Sequence, residues 1–209
     1  MACMTTLIIV RHGNTFEKGE TPRRAGARTD LPLTETGRSQ GRAIGQWLKT
    51  NGYYPEAVYC SQLQRTKETA EQALQEAGYK EPVFPLAIFN EVDYGPDEDL
   101  PEDAVVARLG EQALHDWDKK AIVPDGWLFD PQKCIEDWKN FASHIVEDKQ
   151  DCVMVATSNG VARFAPYITG DFEAFSRDHS IKISTGAICV LKYDNGRWSV
   201  IDWNVKPTC

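Results

Sequence analysis

Two kinds of apolar run alternate along this 209-residue chain. The first kind is short and solid: Thr6–Val10 (TLIIV), Ala57–Cys60 (AVYC), Val83–Phe89 with Pro85 inside it, and Cys152–Ala156 (CVMVA). Solid runs of this length, rich in β-branched residues, are the pattern of strands buried on both faces of a parallel sheet. The second kind is longer and periodic. A helix is expected from about Thr34 to Thr50, with Ile44, Trp47 and Leu48 on its apolar face and Asn51-Gly52 as its stop. Another is expected from Leu63 to Ala77, with Ser61 as N-cap. Two more helical patterns cover about Glu102–Trp117 and Pro131–Val146, separated by a loop with Pro124, Gly126 and Trp127. Thr157–Gly160 ends the CVMVA strand, and a helix to about Ile168 follows. Gly186–Lys192 and Trp198–Asn204 again read as strands, and Asp194-Asn195-Gly196 between them is a hairpin signal.

Strand–helix repeats that end in a hairpin predict an α/β fold: three layers, α/β/α, with a mostly parallel sheet and an antiparallel C-terminal hairpin. There is no internal repeat and no low-complexity segment. Phe16–Leu33 reads as a long polar loop carrying Arg23, Arg24 and Arg28. The composition shifts after Asn90, where Asp93, Asp97, Glu98, Asp99, Glu102 and Asp103 form an acidic stretch ahead of two helical patterns. Residues 1–209 therefore read as one domain with a helical cap inserted at about 90–149. The cap is expected over the carboxyl ends of the strands, where it would set substrate specificity. Most of its acidic residues read as a solvated face.

Composition removes some classes of function. The length suits one domain. A hydrophobic content of 42% and a charged content of 26% are those of an ordinary soluble globular protein. A net charge of −8 argues against nucleic-acid and anionic-membrane partners, so any anion must be held by a local basic pocket. The start of the chain lacks a basic region, and the apolar run after it is too short for a signal sequence or a membrane span. The six cysteines (Cys3, Cys60, Cys134, Cys152, Cys189, Cys209) are scattered, with no CxxC pair and no Cys/His cluster. The expectation is a cytoplasmic protein with reduced thiols, Cys152 and Cys189 among them buried, and no disulfide framework, structural metal or cofactor.

Ligands of open α/β sheets bind just beyond the carboxyl ends of the strands. The first strand ends in Arg11-His12-Gly13, the second in Ser61 with Arg65 one turn into the next helix, and the CVMVA strand near Asn159. Gly13 removes a side chain where a ligand would approach the backbone. Two arginines aimed at one point suit an oxyanion, because each presents a fork of donors matched to phosphate and keeps its charge. Between them a neutral His12 would attack phosphorus with one ring nitrogen while a backbone carbonyl holds the other. Glu91, just past the third strand, is placed to protonate the leaving oxygen. Each residue also has a plainer reading: Arg65 on a surface, His12 in the core, Glu91 paired with an arginine. Spacing alone does not join them.

A resemblance does. Arg11–Thr15 (RHGNT) resembles the RHGxT signature of the histidine phosphatase superfamily, also called phosphoglycerate mutase-like. Asp30–Gly37 (DLPLTETG), with Gln40 at the matching spacing, resembles its D-x-P-L-T-x-x-G. Ser61–Thr66 with Thr69-Ala70 resembles S-x-L-x-R-[AT]-x-x-T-A, and Glu91–Gly95 (EVDYG) resembles E-[IV]-D-[FY]-G. The segments occur in family order over most of the chain. The resemblance implies a parallel sheet flanked by helices, a phosphohistidine intermediate on His12, phosphate clamped by Arg11 and Arg65, Glu91 as proton donor, and no metal. Glu91 stands in EVDYG rather than the ERHYG typical of the mutases, which leans toward phosphatase. Two positions depart from the pattern. Lys18 stands where family members often have asparagine, three residues after Thr15. Asn159, in Ser158-Asn159-Gly160, stands where the family has its second active-site histidine. His115, His144 and His179 lie elsewhere, in the cap or after the last expected helix; only His179 is weighed as a substitute folding back, and not favoured.

The leading expectation is a metal-independent phosphatase for a small phosphorylated metabolite, slow or specialised because of Asn159. Its catalytic residues would be Arg11, His12, Arg65 and Glu91, with Thr15, Lys18, Asn159 and Gly160 binding substrate and inorganic phosphate. A phosphomutase and a catalytically impaired phosphate-ligand-binding protein are the alternatives. Retention of both a nucleophile and an acid argues against the binder, which needs neither. The metabolite and the oligomeric state stay open.

Overall fold

The structure is a computed structural model that describes residues 4–208, so Cys3 and Cys209 lie outside the described residues. Its centre is β1 (Thr5–Arg11), whose Leu7, Ile8, Ile9 and Val10 have no exposed surface. After it come α1 (Glu35–Thr50), β2 (Ala57–Cys60), α2 (Gln64–Ala77) and β3 (Val83–Pro85). The middle of the chain carries α3 (Glu102–Leu109), α4 (Glu111–Lys120) and α5 (Pro131–Glu147). The last part is β4 (Cys152–Thr157), the one-turn α6 (Asn159–Ala162), α7 (Phe172–Asp178), β5 (Ile188–Asp194) and β6 (Arg197–Val205). The sheet order is β3-β2-β4-β1-β5-β6, with β1, β2, β3 and β4 parallel and β5 and β6 antiparallel. This is the expected mostly parallel sheet with an antiparallel C-terminal hairpin.

Alternation along the strands sorts their side chains into two cores. Ile8, Val10, Val58, Met154 and Val190 face α1 and α2, where they meet Ile44, Leu48, Ala70 and Leu74. Leu7, Ile9, Val153, Val155 and Leu191 face the other way, toward Trp138 and Phe141 of α5 and Phe164. Tyr59 of β2 meets Phe141 edge-on at 5.1 Å, and Trp138 Nε1 donates to Val161 O at 3.0 Å. Helices on both faces explain why the central strands read as solid apolar runs. α5 is thus one of the layers packed on the sheet.

Local rules account for the ends of elements. Thr34 caps α1 by accepting the Gly37 N–H, and Asp130 caps α5 by accepting from Gln132 and Lys133. The hairpin turns through Asn195 and Gly196, both at positive φ as a two-residue primed turn requires. Cys60, Cys134, Cys152 and Cys189 are buried free thiols; burial raises the Cys60 pKa to about 11 and those of Cys152 and Cys189 to about 12.

Several elements differ from expectation. The third strand stops at Pro85, which has no N–H for the ladder, and Ala87–Phe89 turns as a 3-10 helix. The helix expected over Glu102–Trp117 is two, broken at Gly110 with φ 81° and ψ 155°. Ser61 lies ahead of the first turn of α2: its hydroxyl accepts from Leu63 N–H at 3.1 Å and bonds Thr66 Oγ1 at 2.6 Å. The helix expected up to Ile168 is α6 followed by a 3-10 turn (Ala165–Thr169), and α7 follows it.

The acidic run corrects a further expectation, because much of it is a staple and not a solvated face. Glu98 accepts from Gly26 N, Arg28 N, Thr29 Oγ1 and Tyr94 N. Asp97 is fully buried and accepts from Arg108 and from Trp127 Nε1. Asp93 pairs with Arg28 and Asp99 with Arg23. Glu98, Asp93 and Asp99 fasten the long loop 16–33 to the segment 90–128, and Asp97 ties that segment together internally.

Candidate active site

β1 ends at Arg11 and the next residue is His12, with the ends of β4 and β2 on the same side through parallel pairing. Beyond this edge lies a cavity of about 980 Å³. Arg11, His12, Thr15, Lys18, Glu91 and Asn159 all line it. Arg65 stands one layer back, wholly buried. Its Nη1 donates to Thr29 O at 2.8 Å, and its Nη2 to Gly26 O at 3.1 Å and Ala25 O at 3.3 Å. Arg65 thereby holds the loop that forms one cavity wall. Arg11 Nη1 donates to Ile183 O at 2.5 Å. The buried Nε of each arginine has no hydrogen-bond partner in the protein. An unpaired buried N–H costs about 1–3 kcal/mol, which an anion between the two arginines would offset.

His12 is 6% exposed. Its Nδ1 lies 2.8 Å from Gly13 O. A carbonyl only accepts, so Nδ1 carries the proton and Nε2 holds the lone pair of a neutral ring. Burial first, then the charges of Arg65 and Arg11, hold the His12 pKa well below its ordinary 6.5. Neutral imidazole is therefore the resting form at neutral pH. This carries a stability consequence. Between pH 6.5 and the lower folded-state pKa, the unfolded chain binds a proton that the folded chain does not, so stability falls as pH falls below about 6.5. His12→Gln, which cannot titrate, is expected to flatten that part of a denaturant-midpoint series against pH. An unchanged slope would show that His12 is not the group responsible.

Glu91 is 7% exposed and faces the same cavity. Its Oε1 accepts from Val92 N at 2.9 Å and its Oε2 from Gly160 N at 3.4 Å. Gly160 does not line the cavity but backs Glu91, and any Cβ there would strike the carboxylate. Gly13 has a comparable role that differs from its expected one. A Cβ on it would strike the Gly37 backbone, so it serves the contact with the start of α1 and not a ligand.

The motif residues without chemistry of their own are fasteners. Gly13 N–H donates to Thr69 Oγ1 at 3.0 Å, Asn14 N–H to Gln40 Oε1 at 2.8 Å, and Thr34 N–H to Asn14 O at 3.0 Å. Asn159 Oδ1 accepts from Ile183 N–H at 2.8 Å, which leaves its NH₂ for the cavity. His115, His144 and His179 do not line the cavity; His179 is exposed and stacks on Phe175. Sequence reasoning missed Tyr94, Trp117, Asp118, Lys182 and Thr185, which line the cavity, and Arg163, which is fully buried behind it. Arg163 lies over the Trp117 ring at 3.9 Å and donates to Trp117 O and Asn159 O.

A buried neutral imidazole at the end of a central parallel strand, flanked by arginines and a carboxyl, is an arrangement chemically suited to an oxyanion. The model of the histidine phosphatase superfamily (branch 1) matches residues 7–206, so the chain belongs to that superfamily. A 2,3-bisphosphoglycerate-dependent phosphoglycerate mutase of Methylobacterium radiotolerans is 37% identical over 112 residues, 53% of this chain and 52% of that protein. The chain thus spans about half the length of the curated relatives it matches. A mycobacterial glucosyl-3-phosphoglycerate phosphatase superposes with a TM-score of 0.78 at 18% identity, covering 97% of this chain and 99% of that one. A putative alpha-ribazole-5′-P phosphatase from Escherichia coli gives 0.74 at 20%, covering 98% of each chain. Identities this low speak for the fold alone. Among the described residues, no group of His, Cys, Asp or Glu is placed to hold a metal ion, and no helix is long and apolar enough to cross a membrane.

Proposed function

We propose that this protein is a metal-independent phosphatase for a small phosphorylated metabolite, acting through a phosphohistidine on His12. The observation that carries the reading is the tautomer of His12: Nδ1 is tied to Gly13 O and a lone pair is left on Nε2 beside two arginines. In the first step Nε2 attacks phosphorus, the P–O bond to the alcohol breaks, and Glu91 gives the leaving oxygen its proton. In the second, water attacks the phosphohistidine, the Glu91 carboxylate takes a proton from that water, and the P–N bond breaks to release inorganic phosphate. Arg11 and Arg65 stabilise charge on the transferring group, with Thr15 and Lys18 of the cavity lining as further contacts. Tyr94, Leu114, Trp117 and Asp118, all from the first half of the expected 90–149 cap, supply the wall facing the alcohol, which supports reading that half as a cap, while α5 in the second half packs on the sheet instead. Release of inorganic phosphate from a panel of phosphorylated metabolites tests the reading, and no release from any ester overturns it.

Asn159 takes the place of the family's second active-site histidine in this reading. Its amide gives the phosphoryl group a neutral donor, where an imidazolium would give a charged hydrogen bond about twice as strong. In Asn159→His, both ring nitrogens of the imidazolium carry protons, so it gives up the Ile183 N–H that Oδ1 now accepts and turns one charged N–H to the phosphate. The turnover number on a generic ester is expected to rise about tenfold, in line with a gain of 1–1.5 kcal/mol per stronger bond. Inorganic phosphate affinity should change less. A fall in turnover on every ester would mean that the site is built around the amide.

A further inference from the structure

The cavity is far larger than a phosphate group, so much of its wall must face the alcohol being released. At about 980 Å³ it lies at the upper end of the range for small-molecule sites. Charge on that wall is already matched. Away from Arg11, the cavity's cations are Lys18, Arg23, Arg24 and Lys182. Arg23 Nε lies 3.1 Å from Asp99, Arg24 Nη2 2.5 Å from Glu102 and Lys182 Nζ 2.6 Å from Asp118. Among the described cavity cations beyond Arg11, only the exposed Lys18 has no carboxylate within ion-pair distance.

Asp118 matters most. It lines the cavity beside the buried Leu114 and Trp117 of the same helix. One of its oxygens meets Lys182, and the other lies 3.9 Å from Arg163 Nη2. That Nη2 is buried and has no hydrogen-bond partner. Without the carboxylate, Lys182 and Arg163 would converge on one point of the wall and make a ready seat for a second anion. With it, one of the two positive charges is matched, and the carboxylate itself lines the cavity while Arg163 is buried behind it, so a second anionic group there would meet Asp118 as a like charge, which costs affinity in a partly desolvated cavity.

We infer that the substrate is a phosphomonoester of an uncharged alcohol with an apolar face, and that Asp118 is the specificity-determining residue that turns away esters bearing a second anionic group. The inference rests on the phosphatase reading above. Its test is kcat/KM on two matched pairs: glycerol 1-phosphate against 3-phosphoglycerate, and phenyl phosphate against 4-carboxyphenyl phosphate. Within each pair that turns over, the ester without a carboxylate is expected to be preferred about tenfold or more, the size of a partly screened contact between like charges. Asp118→Asn should shift the ratio toward the carboxylate ester by about tenfold. Lys182→Ala leaves the carboxylate less balanced and should shift the ratio the other way. Opposite signs separate a charge effect from general damage to the wall, which would move both variants together. Equal or better use of the carboxylate esters by the unmodified protein overturns the inference while the phosphatase reading stands, and so do shifts of the same sign in the two variants. No phosphate release from any of the four esters overturns the phosphatase reading and the inference with it.

Discussion

His12→Ala is expected to abolish turnover of phosphate esters while leaving inorganic phosphate bound. Covalent catalysis has no route without its nucleophile, and removing one typically costs on the order of 10⁴–10⁶ in turnover number. Binding should survive because the anion's charge partners are the guanidiniums of Arg11 and Arg65, anchored on Ile183 O and on the carbonyls of Ala25, Gly26 and Thr29. Folding should survive too, since the His12 ring makes one hydrogen bond, to its neighbour's carbonyl, and no cluster of the core depends on it. Two measurements check this: phosphate release, and phosphate binding by calorimetry. Mass analysis of the unmodified protein, quenched during turnover without acid, should locate a phosphoryl group on His12. Substantial turnover in the alanine variant would show that water attacks phosphorus directly, with the imidazole in some lesser role.

Such a prediction is available because the strand that ends at Arg11 was readable from residues 5–11 alone. Its apolar residues are buried on both faces, so its signal is a solid run, and the same holds for Cys152–Thr157. The hairpin was readable because Asn195-Gly196 meets the positive-φ demand of the turn. The parts that were not readable depend on backbone groups or on distant pairing. The segment 180–186 was passed over, yet its Ile183 holds Arg11 by its carbonyl and Asn159 by its N–H, and any residue except proline offers both groups. The acidic run looked like a solvent face because its partners, Arg23, Arg24, Arg28 and Arg108, are spread over more than 80 residues of sequence. Arg163 carried no signal at all. A guanidinium just after a one-turn helix usually reaches water, and the Trp117 face and the carbonyls around it make its burial tolerable. Spacing never joined Arg11, Arg65 and Glu91 to His12; the fold does so through the parallel order of β1, β4 and β2.

Glu91→Gln is expected to slow hydrolysis of an alkyl phosphate by about 10²–10⁴, the usual contribution of a positioned general acid. Glutamine keeps the shape and its one amide oxygen can still accept the Val92 N–H, so the cavity wall should persist with only the long 3.4 Å contact to Gly160 N–H given up. What it lacks is a proton to give to the leaving oxygen and a base for the water of the second step. These two losses separate by choice of substrate. An alkoxide cannot leave unprotonated, so with glycerol 1-phosphate the first step is blocked and little phosphohistidine forms. A nitrophenolate leaves without a proton, so with 4-nitrophenyl phosphate the first step should run at close to its normal rate. The variant should then release about one equivalent of nitrophenol per site in a burst and stall as phosphohistidine, because water attack still wants the carboxylate. Stopped-flow absorbance reads the burst, and neutral-pH mass analysis reads the trapped intermediate. An equal slowing of the first step for both esters, with no burst, would mean that Glu91 shapes the site electrostatically beside Arg11 and Arg65 and does not hand over a proton.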